Sequence, residues 1–184
     1  MIEDLIKKLK SDMGNWGLVE DMFHVKEVPA KTTLLQEGEI STNLYFIKKG
    51  CLRMWFNNDG KDITFQFFFE GQAVSSFESF FGKQPSIFNL ETIESSQVNV
   101  ITKEGLDEIF ERFPILKDGF RQILLQRLSD YGRLFLSRIR DNPQKRYEDL
   151  LIQHPEIIRR IPQHYIASYL GITPISLSRI RNRK

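Results

Sequence analysis

A single cysteine, Cys51, stands among 184 residues. That excludes an intramolecular disulfide framework, a four-cysteine zinc site and a cysteine-ligated iron–sulfur cluster within one chain, and it makes the cytoplasm the expected compartment. Histidine is nearly as scarce, with only His24, His154 and His164. A metal-dependent barrel enzyme needs two or more histidines and a carboxylate converging on one point, and haem needs an axial ligand. With no histidine between His24 and His154, and no pairing of a nucleophile with a base, no metal, no cofactor and no enzymatic activity are expected. Long apolar runs are absent: no stretch approaches the roughly 18 residues that span a bilayer. The opening MIEDLIKKLKSDMGNW alternates apolar and charged residues at helical spacing, which predicts a short amphipathic helix rather than a signal peptide, and no membrane association. Two further absences bear on function. There is no arginine between Arg53 and Arg112, and no acidic residue after Glu156.

The formal charge of +2 conceals an uneven distribution. Residues 133–184 carry eleven Lys/Arg against four acids, a balance of +7, whereas the preceding 132 residues carry fifteen against twenty, or −5. A basic module joined to a mildly acidic one points to a phosphate-bearing partner. The alternative is a solvated basic tail.

From about Phe23 to Thr102, short apolar runs are punctuated by Gly38, Gly50, Gly60, Gly71 and Gly82. LYFIKKG (44–50), CLRMWF (51–56) and ITFQFFF (63–69) are rich in β-branched and aromatic residues, and NNDG (57–60) is a turn signal between two of them. A closed roll or sandwich is expected, because closure removes exposed strand edges. SIFNLET (86–92) also reads as a strand.

After Thr102 the period becomes helical. Pro114 divides a short helix ending near Arg112 from a long one reaching about Arg140. On the long helix Phe120, Leu124, Leu128, Tyr131 and Phe135, with Arg138 following, approximate a heptad seam. A helix of some 25 residues is nearly 40 Å long, more than one small domain requires, so pairing with a second copy is expected. The alternative is a helix lying on its own chain's sheet. Asn142 is suited to cap a further helix with Pro143 in its first turn. That helix ends near His154-Pro155, and EIIRRI (156–161) reads as short and extended.

The segment QHYIASYLGITPISLSRIRNRK (163–184) contains what a helix-turn-helix requires. Ala167 permits close helix crossing, Gly171 suits a positive φ at the turn, and Thr173-Pro174 supplies an N-cap and a first-turn proline. Ile166, Leu170, Leu177 and Ile180 would close the inside. The outer surface would then carry Thr173, Pro174, Ile175, Ser176, Ser178, Arg179, Arg181 and Arg183, suited to a major groove. Arg179 is the natural guanine reader. Ser176 and Ser178 suit phosphate or base edges, while Arg181, Arg183 and Lys184 suit salt-dependent backbone contacts. The expected partner is double-stranded DNA.

The order of parts resembles the Crp/Fnr superfamily of transcription regulators, named for the cyclic-AMP receptor protein. LLQEGEISTNLYFIKKGCLR (34–53) is similar to that family's roll signature, and IASYLGITPISLSRIR to its DNA-reading motif. The resemblance implies an α+β protein: an N-terminal jelly-roll (β-roll) domain of the cyclic-nucleotide-binding type over 1–113, a dimerisation helix over 114–141 and a C-terminal helix-turn-helix domain over 142–184. It also implies a cytoplasmic homodimer on a palindromic site, with RNA polymerase as a further partner, and it places Arg179 at the family's guanine-reading position. Pro174 and Ile175 stand where the founding member has arginine and glutamate, which implies a different half-site. No hairpin follows the recognition helix in this sequence.

The phosphate cassette departs as well. Gly71-Gln72 stands where cyclic-AMP binders have glycine-glutamate, and Pro85-Ser86 where they have arginine-serine or arginine-threonine. Lys83 lacks the planar fork that clamps a phosphate, so cyclic AMP is not expected. Gly71, Gln72, Ser75, Pro85 and Ser86 would line a pocket for an unknown small-molecule effector, or an empty one. A rival reading is an effector-binding or scaffolding module whose C-terminal helices contact protein; it predicts salt-insensitive binding and no DNA shift.

Overall fold

The computed structural model describes Gly17 and residues 19–182. The amphipathic helix expected at the N-terminus, Arg183 and Lys184 lie outside the described residues. Two compact units are formed. The first holds the described chain up to Arg53 together with Phe68–Gln126; the second holds Met54–Phe67 and the described chain from Arg127 onward. This differs from three consecutive segments, because the hairpin over residues 54–67 groups with the C-terminal helices.

The described residues form eight strands: β1 (His24–Val28), β2 (Thr33–Leu35), β3 (Asn43–Lys49), β4 (Leu52–Asn58), β5 (Lys61–Phe68), β6 (Ala73–Val74), β7 (Asn89–Thr92) and β8 (Ser96–Thr102). One sheet has the order β1-β8-β3-β6 and the other β2-β7-β4-β5. β8 pairs antiparallel with β1 and β3, with Leu44 opposite Ile101 and Tyr45 opposite Val100. Alternation along these strands separates two apolar faces. Leu44, Phe46 and Ile101 join Phe80, Leu106, Ile109, Leu116, Phe120 and Ile123 in a helix-covered cluster. Tyr45, Ile47, Val98 and Val100, all buried, take the opposite face. Removing such a side chain from water contributes about 1.5–3 kcal/mol.

The strands expected at 44–50, 51–56 and 63–69 form as β3, β4 and β5, and the latter part of 86–92 forms β7. Between β4 and β5, Asp59 and Gly60 both take positive φ, 51° and 79°, and Gly60 N–H donates to Asn57 Oδ1 at 2.9 Å. Two positive-φ residues give a hairpin turn matched to strand twist. At Gly50, φ is +105°, and an added Cβ would lie 2.7 Å from the Ser96 Cα, so only glycine fits. The all-β expectation for this region misses α1 (Phe77–Gly82). Its Phe80 is buried in the cluster, and Phe77 and Phe81 meet the Phe120 ring at 6.2 and 5.9 Å, so tertiary packing outweighs weak aromatic helix propensity.

α2 (Lys103–Arg112) is capped by Thr102, whose hydroxyl accepts from Gly105 N–H at 3.1 Å. α3 (Pro114–Arg140) begins at the dividing proline and runs for 27 residues; the boundary between the two units falls within it. α4 (Pro143–Gln153) has the expected Asn142 cap, which accepts from Lys145 N–H at 2.9 Å. The segment read as extended is instead helical, as α5 (Pro155–Arg160). Pro155 ends α4 yet suits the first helical position, and Ile157 and Ile161, four apart, are both buried. α6 (Gln163–Tyr169) and α7 (Pro174–Asn182) complete the second unit.

Candidate nucleic-acid interface

The turn between α6 and α7 is specified residue by residue. Gly171 takes φ +67°. Its N–H donates to Ser168 O at 3.0 Å, and Ile172 N–H donates to Ala167 O at 3.0 Å. This is a Schellman closure, which satisfies carbonyls left open at a helix end. Thr173 then starts α7: its Oγ1 accepts from Ser176 N–H at 3.1 Å and lies 3.0 Å from Ser176 Oγ. Ile166, Ala167, Leu170 and Leu177 are buried, and Ile180 is half-buried.

With that inner face fixed, Pro174, Ile175, Ser178, Arg179 and Arg181 are exposed, whereas Ser176 is half-buried. Thr173 is exposed but its hydroxyl is occupied as the cap. Arg183 lies outside the described residues. Arg179, Ser176, Ile172 and Ile180 line a hollow of about 430 Å³ with Asn142, Pro143 and Gln144 at the start of α4. The exposed side chains of α7 include no carboxylate, so its surface presents cations, hydroxyls and one large apolar group.

Residues that sequence reading passed over hold α6 in place. Arg138 on α3 donates from Nη2 to Tyr169 O at 2.9 Å, and its guanidinium lies 5.9 Å from the Tyr169 ring centre. Arg146 on α4 donates to Leu170 O at 2.9 Å and to Asp141 O at 2.6 Å. Two cations therefore meet the carbonyl end of α6, where the helix dipole favours positive charge. Burial lowers the Arg138 guanidinium from its usual range and raises the Tyr169 phenol. The hairpin contributes a third tie. Ser168 Oγ–H donates to Asp62 O and the same oxygen accepts from Thr64 N–H, both at 2.8 Å, while the Phe67 and Tyr169 rings lie 5.3 Å apart. The heptad position of Arg138 is the sequence signal that bears on this, and it points to an outward seam.

That seam divides in the structure. Phe120 is buried among Phe77, Phe81 and Phe110, and Leu124 packs against the same cluster. Tyr131 is half-buried, with its ring 5.1 Å from that of Phe65. Leu128 and Phe135 are exposed, and with them Leu125, Leu136 and Ile139. The apolar stripe left uncovered thus runs 125–128–135–139, with Leu136 beside it. At 100° per residue, Phe120, Leu124 and Tyr131 fall within about 40° of one another, toward their own chain, and the exposed residues lie farther round the helix.

In the roll, the residues proposed for an effector are engaged with one another and with the backbone. Gln72 closes its own turn, with Oε1 accepting from Phe69 N–H at 3.0 Å, and Gly71 N–H donates to Ile47 O at 3.0 Å. Ser75 Oγ donates to Asn43 O at 2.9 Å and meets Ser41 Oγ at 2.9 Å. Ser86 Oγ donates to Phe88 O at 2.7 Å. Pro85 is exposed. Arg53, buried at the edge of the arginine-free stretch, is held by Glu91 at 2.7 Å. Among the described residues, no cluster of three or more His, Cys, Asp or Glu stands ready for a metal, and Cys51 is buried. No helix of the described residues is long and apolar enough to cross a membrane.

Residues 25–113 match the cyclic nucleotide-binding domain family. No curated protein sequence matches the chain. Among solved structures, FixK2 from Bradyrhizobium japonicum is similar, with 18% identity over 88% of this chain and 83% of that one, at a TM-score of 0.74. A putative transcriptional regulator of the Crp/Fnr family from Eubacterium rectale gives 20% identity over 94% and 83%, at 0.73. CLP from Xanthomonas campestris, a c-di-GMP-responsive global regulator, gives 19% over 89% and 88%, at 0.69. The chain therefore holds a segment matching the cyclic nucleotide-binding domain family, in a fold shared with these three structures.

Proposed function

We propose that the protein is a DNA-binding transcription regulator of the Crp/Fnr type, acting as a homodimer on a palindromic site through α6 and α7 as a helix-turn-helix, without control by cyclic AMP. The observation that carries this reading is α7 itself. Its apolar side is buried through Leu177, its exposed side offers Ile175, Ser178, Arg179 and Arg181, and no carboxylate opposes a phosphate there. Recognition helices place such residues against base edges, with guanine favoured by arginine.

The uncovered stripe on α3 supplies the pairing surface, and two-fold pairing would set the recognition helices in successive major grooves about 34 Å apart. The engaged hydroxyls of Ser75 and Ser86, and the absence of any arginine between Arg53 and Arg112 in the sequence, support a roll that does not take a cyclic phosphate. Bound beside a promoter, the dimer would stand next to RNA polymerase.

The test is selection from a randomised palindromic duplex pool, followed by anisotropy titration at two salt concentrations. Wild type should enrich a two-fold site. Arg179→Ala should relax one symmetric base pair at a cost of about 1–3 kcal/mol. Salt-insensitive binding to protein with no duplex enriched would favour a scaffolding role instead.

A further inference from the structure

The covalent link between α3 and α4 is the pair Asp141-Asn142. Asp141 N–H closes the end of α3 by donating to Ser137 O at 2.9 Å, and Asn142 is extended, with φ −72° and ψ 163°. So short a joint bends by a change of a few backbone angles unless other contacts brace it. Two arginines brace it from opposite sides. Arg138, on the last turn of α3, binds Tyr169 O. Arg146, on the first turn of α4, binds Leu170 O and also Asp141 O within the joint itself. Consecutive carbonyls at the end of α6 are thus held from α3 and from α4, which closes a triangle of helices within the second unit. The Schellman closure at Gly171 and Ile172 then fixes the start of α7 to the end of α6.

For a contact that only stabilised the unit, this arrangement is a poor one. Both guanidiniums carry the same charge, and the Arg146 charge adds to the effect of burial in lowering the Arg138 guanidinium from its usual range. The neighbouring carboxylate, Asp141, is bound to Arg140 instead. Both Nε–H groups are buried without an acceptor among the described residues, a desolvation cost that a packed apolar pair would not incur. What the two side chains supply is direction, because a planar fork with fixed donors restricts angles that an apolar contact leaves loose.

We infer that Arg138 and Arg146 are positioning residues that set the half-site spacing the protein accepts, by fixing the angle between the uncovered stripe of α3 and the recognition helix α7. This rests on the DNA-binding reading of α7 and on pairing through α3. Arg138 is next in sequence to Ile139 on that stripe, so the brace begins at the pairing surface. In a two-fold dimer any bend at the joint occurs in both copies. One base pair added between the half-sites moves them apart by about 3.4 Å and turns them by about 35°. To follow that change wild type must break a bond of the brace; a chain without the brace has none to break.

The experiment uses the full chain and three duplexes: the two-fold site recovered by selection, the same site with one base pair added at its centre, and a single half-site. Arg138→Met and Arg146→Met keep the apolar stem and remove the fork. Loss of one hydrogen bond to a charged group corresponds to about tenfold in an equilibrium. Wild type should discriminate against the lengthened site, and each variant should reduce that discrimination by about tenfold. Both variants should bind the single half-site within about twofold of wild type, since α7 keeps its own side chains. Unchanged discrimination in both variants, with half-site binding retained, would overturn this inference and leave the regulator reading standing. So would a loss on the single half-site equal to that on the full site, which would assign the two arginines to folding alone. Failure to enrich any two-fold duplex would overturn both readings.

Discussion

Replacing Ile139 by glutamate puts a charge at the C-terminal end of the stripe left uncovered on α3. Ile139 is 69% exposed in the single chain, so most of its surface remains to be removed from water by a partner. Full burial of such a side chain contributes about 2 kcal/mol, so covering this one would contribute about 1.4 kcal/mol per copy. The two-fold axis doubles the loss to about 3 kcal/mol, or roughly a hundredfold weaker dimer. Bringing the two carboxylates together, or desolvating them, adds to that figure. Sedimentation velocity across a concentration series would show the monomer at protein levels where wild type is dimeric, and specific DNA affinity should fall in step. Ile152→Glu, which alters an exposed isoleucine on α4 off the stripe, is the control and should leave the dimer intact. A dimer unchanged by Ile139→Glu would refute the assignment of the 125–139 stripe as the pairing face.

Gly50→Ala forces a left-handed φ on a residue with a Cβ and drives that atom into the Ser96 backbone; a loss of at least about 2 kcal/mol is expected in urea unfolding. Ser168→Ala removes the hydroxyl shared by Thr64 N–H and Asp62 O, with an expected cost of about 1–2 kcal/mol after the better helix propensity of alanine is allowed for. Its denaturation slope should be unchanged. Arg181→Ala should weaken binding to all duplexes alike and reduce the salt slope by about one. Cyclic AMP at millimolar concentration should give no calorimetric binding signal and no change in DNA affinity.

The strands β3, β4 and β5 were legible because aromatic and β-branched runs with a tight turn between them constrain structure locally. So was the α6–α7 turn, where Ala167, Gly171 and Thr173 each act on their immediate neighbours. What escaped depends on position in space. Ser168 is an ordinary helical serine until Thr64 and Asp62 are brought beside it, and nothing in the charge pattern separates Arg146, bound to two carbonyls, from exposed Lys145 one residue earlier, which pairs with Asp149. The phase of the α3 stripe escaped for a related reason. Phe120 and Leu128 are equally apolar, and only the aromatic cluster around Phe120 determines which of them the chain keeps for itself. Pro155 misled because proline both ends one helix and starts the next.

The grouping of the hairpin at residues 54–67 with helices as much as a hundred positions later bears on how the molecule is made. Thr64 and Ser168 are 104 residues apart. At ribosomal rates of about 5–20 residues per second, β5 leaves the ribosome several seconds before α6 has been synthesised. Phe67 must wait through that interval without the Tyr169 ring it finally packs against. The second unit therefore cannot finish folding before α6 and α7 have left the ribosome. It follows that a nascent chain stalled before α6 should be attacked by protease within the β4–β5 hairpin, and that the finished protein should resist cleavage there.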